Sequence, residues 1–454
     1  MKEYKVVICG AGISGLSTGF WLVKNGLDPK DLLILESSER CGGEIETRQV
    51  EGNLLEMGPN SIMMKSPKLL EFIKEAGLYS EILVPHVASR KRYLRRGNKL
   101  WKIEPKSVFS NLSNHSKLRL AALTFSTRGP IDDSESVYSF FCRKIGPQLT
   151  NELVVPFVSG IYAGDSRKLI AKQAFPKLAK LESRYNSLIL GLLLDSKNRE
   201  VVDNKYRGLI NFRKGLQSLT DNLGTILHES VNCNQTIISI LPYGSNQYQI
   251  NTSSDSFATK NLVVSIPSYR VGKILQGDKF ATLKKLLTSV DYPSLRVMHF
   301  QSNKSASKIK ERGFGFLSQQ YEKSKILGCL WPSHCFSQRC DESNEIHTVF
   351  TGGKLYPEFE SLNLKHHSDI VAQELLEVLK MSANPELLEC KEWKRAIPQY
   401  DLQQLALQRN LEQMEKEQIG LYFSCNYYRG VSVGDCILNG MKTAENITDV
   451  LKQL

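Results

Sequence analysis

Hydrophobic positions near the start of the chain fall into three blocks. An apolar run, Tyr4–Cys9, precedes a segment with helical spacing from Ile13 to Asn25, and a second run, Leu32–Glu36, follows it. Short continuous apolar runs read as buried strands, and a 3.6-residue period between them reads as a helix, so the pattern predicts a β–α–β unit. "KLLEFIKEAG" (Lys68–Gly77) has helical spacing and a glycine stop. "RKRYLRRGNKLWKI" predicts a hairpin turning at Gly97–Asn98. Leu112–Leu194 reads as helical, with breaks at 129–130, 146–147 and 176. From Val231 the period falls to two, which predicts a strand meander as far as Pro267. A helical segment, Tyr269–Leu287, comes next, then strands between Leu295 and Phe350. "SDIVAQELLEVLKMS" predicts an amphipathic helix from Ser368, and Met441–Leu454 predicts another.

Length changes this picture first. A chain of 454 residues, 41% apolar, buries a large core and exceeds one ordinary domain. Its longest apolar runs, "DLLILE" and "SLILGLLLD" (Ser187–Asp195), fall short of the roughly 20 residues that span a bilayer, so no transmembrane helix is expected. No export or organelle signal is visible at the start, and the expected location is cytoplasmic. Ten cysteines show no C-x-x-C pair and no metal-like spacing with histidine, and read as reduced thiols with no metal site. His366-His367 sits before a predicted helix and reads as exposed. The net charge of +12 suits an anionic substrate or an anionic membrane surface. Without a basic helix or an RNA-binding signature, no nucleic-acid partner is expected.

The chemistry begins at Gly10-Ala11-Gly12-Ile13-Ser14-Gly15, a G-x-G-x-x-G turn between the first strand and the helix. The first glycine makes the turn, the second admits a diphosphate, and the third lets helix and strand pack. Glu36 ends the second strand, with Ser37 beside it, where a carboxylate binds ribose hydroxyls and disfavours a 2′-phosphate. Arg40-Cys41-Gly42-Gly43 and Gly58-Pro59-Asn60-Ser61 follow. Adjacent glycines let main chain lie against a flat ligand, and an arginine meets phosphate charge.

These stretches resemble flavoproteins of the amine-oxidase and porphyrinogen-oxidase type, which implies noncovalent FAD. The resemblance implies that R-x-G-G follows the ribose acid and that "E-x-G-P" lies next to the isoalloxazine. It also implies that a returning C-terminal segment, here "NYYRGVSVGDCILNG", aims a helix N-terminus at the flavin through Val431, Ser432 and Val433. "ESVNCNQTIISI" is similar to the strand that meets the adenine side, centred on Ile237.

Ser136–Leu178, with "EMGPNSI", "GFGFL", "IPQY" and "GVSVGDCI", resembles oxygen-dependent protoporphyrinogen oxidase along the whole chain. It departs at "RKLIAKQAF", where the family shows "LS". The implied fold is α/β: a Rossmann-type FAD-binding domain of the amine-oxidase kind, a mixed-sheet substrate domain and a helical domain. The expected bounds are 1–86, 205–268 and 395–454 for FAD, 87–110 and 269–394 for substrate, and 111–204 for helices. The implied reaction is a six-electron oxidation of a porphyrinogen, with molecular oxygen reduced to peroxide and no protein side chain carrying the chemistry.

Arg92 is the expected anchor for a substrate propionate, on the strand face of Leu94; a solvated arginine in a basic run is the competing use. Phe314 and Leu317 match family positions flanking the macrocycle, with plain core as the alternative. Protoporphyrinogen IX comes first as substrate and coproporphyrinogen III second. An amine oxidase or desaturase, with Tyr427 and Tyr428 near the flavin, is the more distant reading, and a non-catalytic flavoprotein a third. "SLILGLLLD" and the net charge point to peripheral contact with the inner face of a membrane; a homodimer stays open.

Overall fold

The computed structural model describes residues 1–454 except 111, 115, 119–131, 186–203, 245–246, 308–312, 320–323, 418–419 and 454. "SLILGLLLD" lies outside the described residues, as does the predicted break at 129–130.

The β–α–β reading holds, because the two apolar runs bury on both faces. Strand Lys2–Cys9 pairs in parallel with Leu32–Leu35 on one side and Ser256–Val264 on the other. Around this trio a seven-stranded sheet forms, in the order Val231–Asn232, Leu32–Leu35, Lys2–Cys9, Ser256–Val264, Gln247–Thr252, Ile237–Tyr243, with Leu421–Phe423 also on Ser256–Val264. The predicted meander supplies its antiparallel half. Helix Ile13–Lys24 covers one face, and the C-terminal helix Val433–Lys452 crosses it where Gly440 approaches Ser14 O and Ser17.

A second seven-stranded sheet runs Glu386–Trp393, Leu295–Asn303, Asn344–Gly352, Ile326–Leu330, Gly315–Ser318, Tyr93–Arg96, Lys99–Lys102. The hairpin turns at Gly97–Asn98 as expected, and its first strand joins Gly315–Ser318 in parallel. Segments far apart in sequence therefore share one sheet. Helices Val137–Ile145, Val155–Tyr162 and Pro176–Tyr185 pack around Phe140, Val158 and Tyr162.

Three expected elements differ. Tyr269–Leu287 is two helices, Ser268–Ile274 and Ala281–Ser289, because Gly277 turns the chain with φ +105° between them. The helix expected from Ser368 begins at Leu364, since the Asn363 side chain caps it by accepting from His366 N–H. His367 is consequently fully buried rather than exposed, bonded to Arg296 Nη1 at 2.9 Å and Thr351 Oγ1 at 3.1 Å. The last helix starts at Val433, not Met441, with Ser432 as its cap.

Candidate active site

The dinucleotide turn is built by close packing. Gly10 N–H donates to Leu35 O at 2.8 Å, tying the turn to the neighbouring strand. A Cβ on Gly15 would lie 2.0 Å from Gly10 O, so only glycine fits there. No side chain caps the helix at Gly12, so its first N–H groups and its positive end are left to an anion. The R-x-G-G turn lies directly against it: Gly42 N–H donates to Ala11 O at 2.8 Å, and a Cβ on Gly43 would sit 3.3 Å from Gly12 Cα.

Glu36 is 9% exposed and reaches back into this turn. Oε2 accepts from Ala11 N–H at 2.9 Å, and Oε1 accepts from Ser38 N–H at 2.9 Å and Ser37 Oγ at 3.3 Å. The segment leading to Ile237 docks on the same acid: Gln235 N–H donates to Glu36 O at 2.8 Å and Asn234 N–H to Ser38 O at 3.0 Å. Arg40 braces its own turn, donating to the carbonyls of Cys41 and Gly43 at 3.0 Å and of Ile45 at 3.1 Å. The glycine turn, Glu36 and the segment leading to Ile237 thus adjoin one another, and residues of these types in this arrangement fit a dinucleotide.

Gly58-Pro59-Asn60-Ser61 is held from two sides. Trp393 Nε1, on the second sheet, donates to Met57 O at 2.9 Å. Asn211 Nδ2 donates to Asn60 O at 2.8 Å and to Glu56 Oε1 at 3.0 Å. Glu56, 4% exposed, also accepts from Leu216 N–H at 2.9 Å and Thr47 Oγ1 at 2.7 Å. Burial pushes its pKa up, opposed by those donors and by Arg339. The C-terminal helix start adjoins this loop: a Cβ on Gly434 would lie 3.3 Å from Met63 O, which places Val431, Ser432 and Val433 beside strand Ile62–Met64. Tyr400 OH fixes the approach, accepting from Gly430 N–H at 3.0 Å and donating to Asn426 O at 2.8 Å.

A small, partly open cleft lies between this loop and the second sheet. Asn60, Ser61 and Asn211 line it on one side, Phe314, Leu330 and Phe336 on the other. Arg92 stacks over the Phe314 ring with its guanidinium carbon 4.5 Å from the centroid. It is exposed, yet neighbouring groups crowd it enough to lower its pKa. Residues 222 positions apart are thereby brought together with the expected flavin loop. Leu317 points elsewhere: its Cδ2 meets helix Val155–Tyr162 at Gly160, 2.3 Å from where a Cβ would be. Two residues of the cleft, Glu56 and Arg339, were not singled out in the sequence. Glu56 stood inside the quoted "EMGPNSI"; nothing local marks Arg339.

The profile of the family described as flavin containing amine oxidoreductase matches residues 13–448. The chain belongs to this family. As a flavin amine oxidoreductase it is an FAD-dependent enzyme, and the glycine turn, Glu36 and the R-x-G-G turn are the residues that fit that cofactor. It is 26% identical to protoporphyrinogen oxidase 2, chloroplastic/mitochondrial, of Arabidopsis thaliana, over 99% of this chain and 94% of that one. It is 23% identical to coproporphyrinogen III oxidase of Bacillus subtilis, over 96% of each. A crystal structure from Exiguobacterium, provisionally named a protoporphyrinogen oxidase, superposes with a TM-score of 0.80 at 19% identity, covering 99% of both chains. Cyclohexylamine oxidase of Brevibacterium oxydans shares the fold at 0.73 and 14% identity, again over 99% of both. Among the described residues no helix is long and apolar enough to cross a membrane.

Proposed function

We propose that this flavin amine oxidoreductase oxidises a porphyrinogen to the porphyrin, with protoporphyrinogen IX as the first choice of substrate and dioxygen as the final acceptor. The pairing of Arg92 with Phe314 at a cleft bordered by Asn60 and Ser61 carries the reading. An aromatic face and a cation beside the flavin loop suit a flat, apolar ring with carboxylate arms, and full-length relatives named for such substrates support the choice.

When bound, FAD supplies two-electron acceptance, and six electrons leave the ring in successive pairs, each pair converting one dioxygen to one peroxide. The chain's part is to orient and to exclude water. Arg92 binds a propionate at the mouth, and Phe314 lies against the ring. Leu330 and Phe336 keep the cleft apolar, and Asn60 and Ser61 set the distance to the flavin. The N-terminal end of the helix that begins at Val433 would favour negative charge placed beside it.

Coproporphyrinogen III, with four carboxylates instead of two, is the alternative suggested by the Bacillus relative. Of the eight basic residues between His86 and Lys106, Arg95 pairs with Glu374, Arg96 with Glu152 at 2.7 Å and Lys102 with Glu104 at 2.5 Å. That neutralisation favours the less anionic ring. An amine-oxidase reading is weakened by Tyr427 and Tyr428, which are 0% and 1% exposed in the core under the first sheet. Anaerobic titration decides among these. Protoporphyrinogen IX should bleach the flavin faster than coproporphyrinogen III, and simple amines should leave it oxidised. Bleaching by amines alone, or a strong preference for coproporphyrinogen, would overturn the reading at the corresponding level.

A further inference from the structure

The inner end of the cleft holds a charge that the reading above leaves unused. Arg339 is 2% exposed and comes from the second sheet's loop, far from any basic run. Its Nη2 donates to Phe212 O at 3.2 Å. Its Nη1 lies 3.7 Å from Glu56 Oε1, an ion-pair distance too long for a hydrogen bond, and has no hydrogen-bond partner among the described residues. Glu56 does not need it: the Thr47 hydroxyl, the Asn211 amide and Leu216 N–H already hold that carboxylate. Folded chains seldom bury a guanidinium nitrogen without an acceptor unless something else occupies the place.

Arg339 also lines the cleft, with Asn60, Ser61 and Phe314. Arg92 stacks on Phe314, a lining residue, and acts electrostatically on Cys335, another. The cleft's mostly apolar lining thus includes one buried arginine, Arg339, and one aromatic ring, Phe314, on which a second, exposed arginine stacks.

We propose that Arg339 is a second carboxylate-binding residue of this cleft, holding one anionic arm of a flat apolar ring at the inner end while Arg92 holds another at the mouth. The inference rests on the porphyrinogen reading and deepens it. A guanidinium fork pairs with a carboxylate in two parallel hydrogen bonds, a geometry that water does not reproduce and that lysine meets only as a point charge. Two anchors at opposite ends of one aromatic face fix the rotation of the ring, which a single anchor leaves free.

The test titrates FAD-loaded protein with protoporphyrin IX and with its dimethyl ester, following quenching of porphyrin fluorescence. Wild type should bind the diacid about tenfold or more tightly than the ester. Arg339→Met should lose about tenfold for the diacid and little for the ester, with Arg339→Lys between. Should Arg339→Met fail to hold FAD because Glu56 is left unbalanced, the Glu56→Gln/Arg339→Met double variant, which removes both charges, is read in its place. A diacid preference that survives intact in these variants overturns the Arg339 assignment alone. Equal losses for diacid and ester overturn it too, reducing Arg339 to packing. Wild type that binds neither porphyrin removes the porphyrinogen reading and the proposal together.

Discussion

A methyl group added at Gly12 and one added at Gly15 meet opposite fates. At Gly12 the nearest atom to a Cβ is Gly43 Cα, at 4.0 Å, so the protein itself has room. At Gly15 the Cβ would collide with Gly10 O at 2.0 Å. Gly12→Val should therefore fold and stay colourless, since its side chain takes the space of the diphosphate; full flavin absorbance in the purified variant would remove this turn from the cofactor site. Gly15→Ala should instead lose stability by about 1–3 kcal/mol from overpacking, seen as a lowered urea midpoint. Arg92→Ala removes a charge-assisted contact from the substrate and should raise KM by the equivalent of about 1.5–3 kcal/mol with kcat less affected. Unchanged kcat/KM on both porphyrinogens would show that Arg92 is only a solvated arginine on an aromatic ring.

Secondary-structure elements deliver these residues, and their ends matter more than their middles. The C-terminal helix begins at Val433 because Ser432 Oγ accepts from Asp435 N–H at 3.2 Å, and Lys65 adds an ion pair to Asp435 at 3.1 Å. Arg429 and Gly430 reach that cap through positive φ angles of 65° and 131°, and Tyr400 OH holds the bend. Tyr400→Phe leaves the half-buried Gly430 N–H without its acceptor, at a cost of about 1 kcal/mol. Its melting temperature should fall and FAD should dissociate faster; a variant with wild-type flavin retention would show that the bend is set without the hydroxyl. Helix Leu402–Lys416 escaped the sequence reading. Its stretch, "LQQLALQRNLEQMEK", spreads few apolar positions among glutamines, and only tertiary contacts bury Leu405, Leu407 and Leu411.

At the scale of the whole molecule, the second sheet buries its histidines neutral. Burial depresses the pKa of His299 and of His347 to about 4, from a usual 6.5. Between those values the unfolded chain binds the extra protons, so stability rises with pH across the window and is lost as pH falls from about 6.5 toward 4, by roughly 1.4 kcal/mol per pH unit for each histidine. Urea midpoints at pH 7 and pH 5 should differ accordingly, and His347→Gln should shrink the difference. Equal midpoints in wild type would show that these imidazoles are charged in the folded state or are balanced by other groups.

Strong local periodicity and glycine chemistry made the β–α–β unit, the Glu36 acid, the R-x-G-G turn and the Gly97–Asn98 hairpin legible before any fold was known. Each depends on neighbours within one strand–turn–helix unit, where sequence spacing is spatial spacing. The cleft is different. Arg92 and Phe314 meet because two strands from distant segments pair in parallel, and Arg339 reaches Glu56 across the seam between two sheets. His367 is buried because an asparagine cap starts its helix early. Nothing in the local pattern encodes such meetings, since a strand's partner and a side chain's burial are set by long-range pairing and packing. The sequence determined what could bind a dinucleotide; the tertiary structure decided which charges and rings would share its far side.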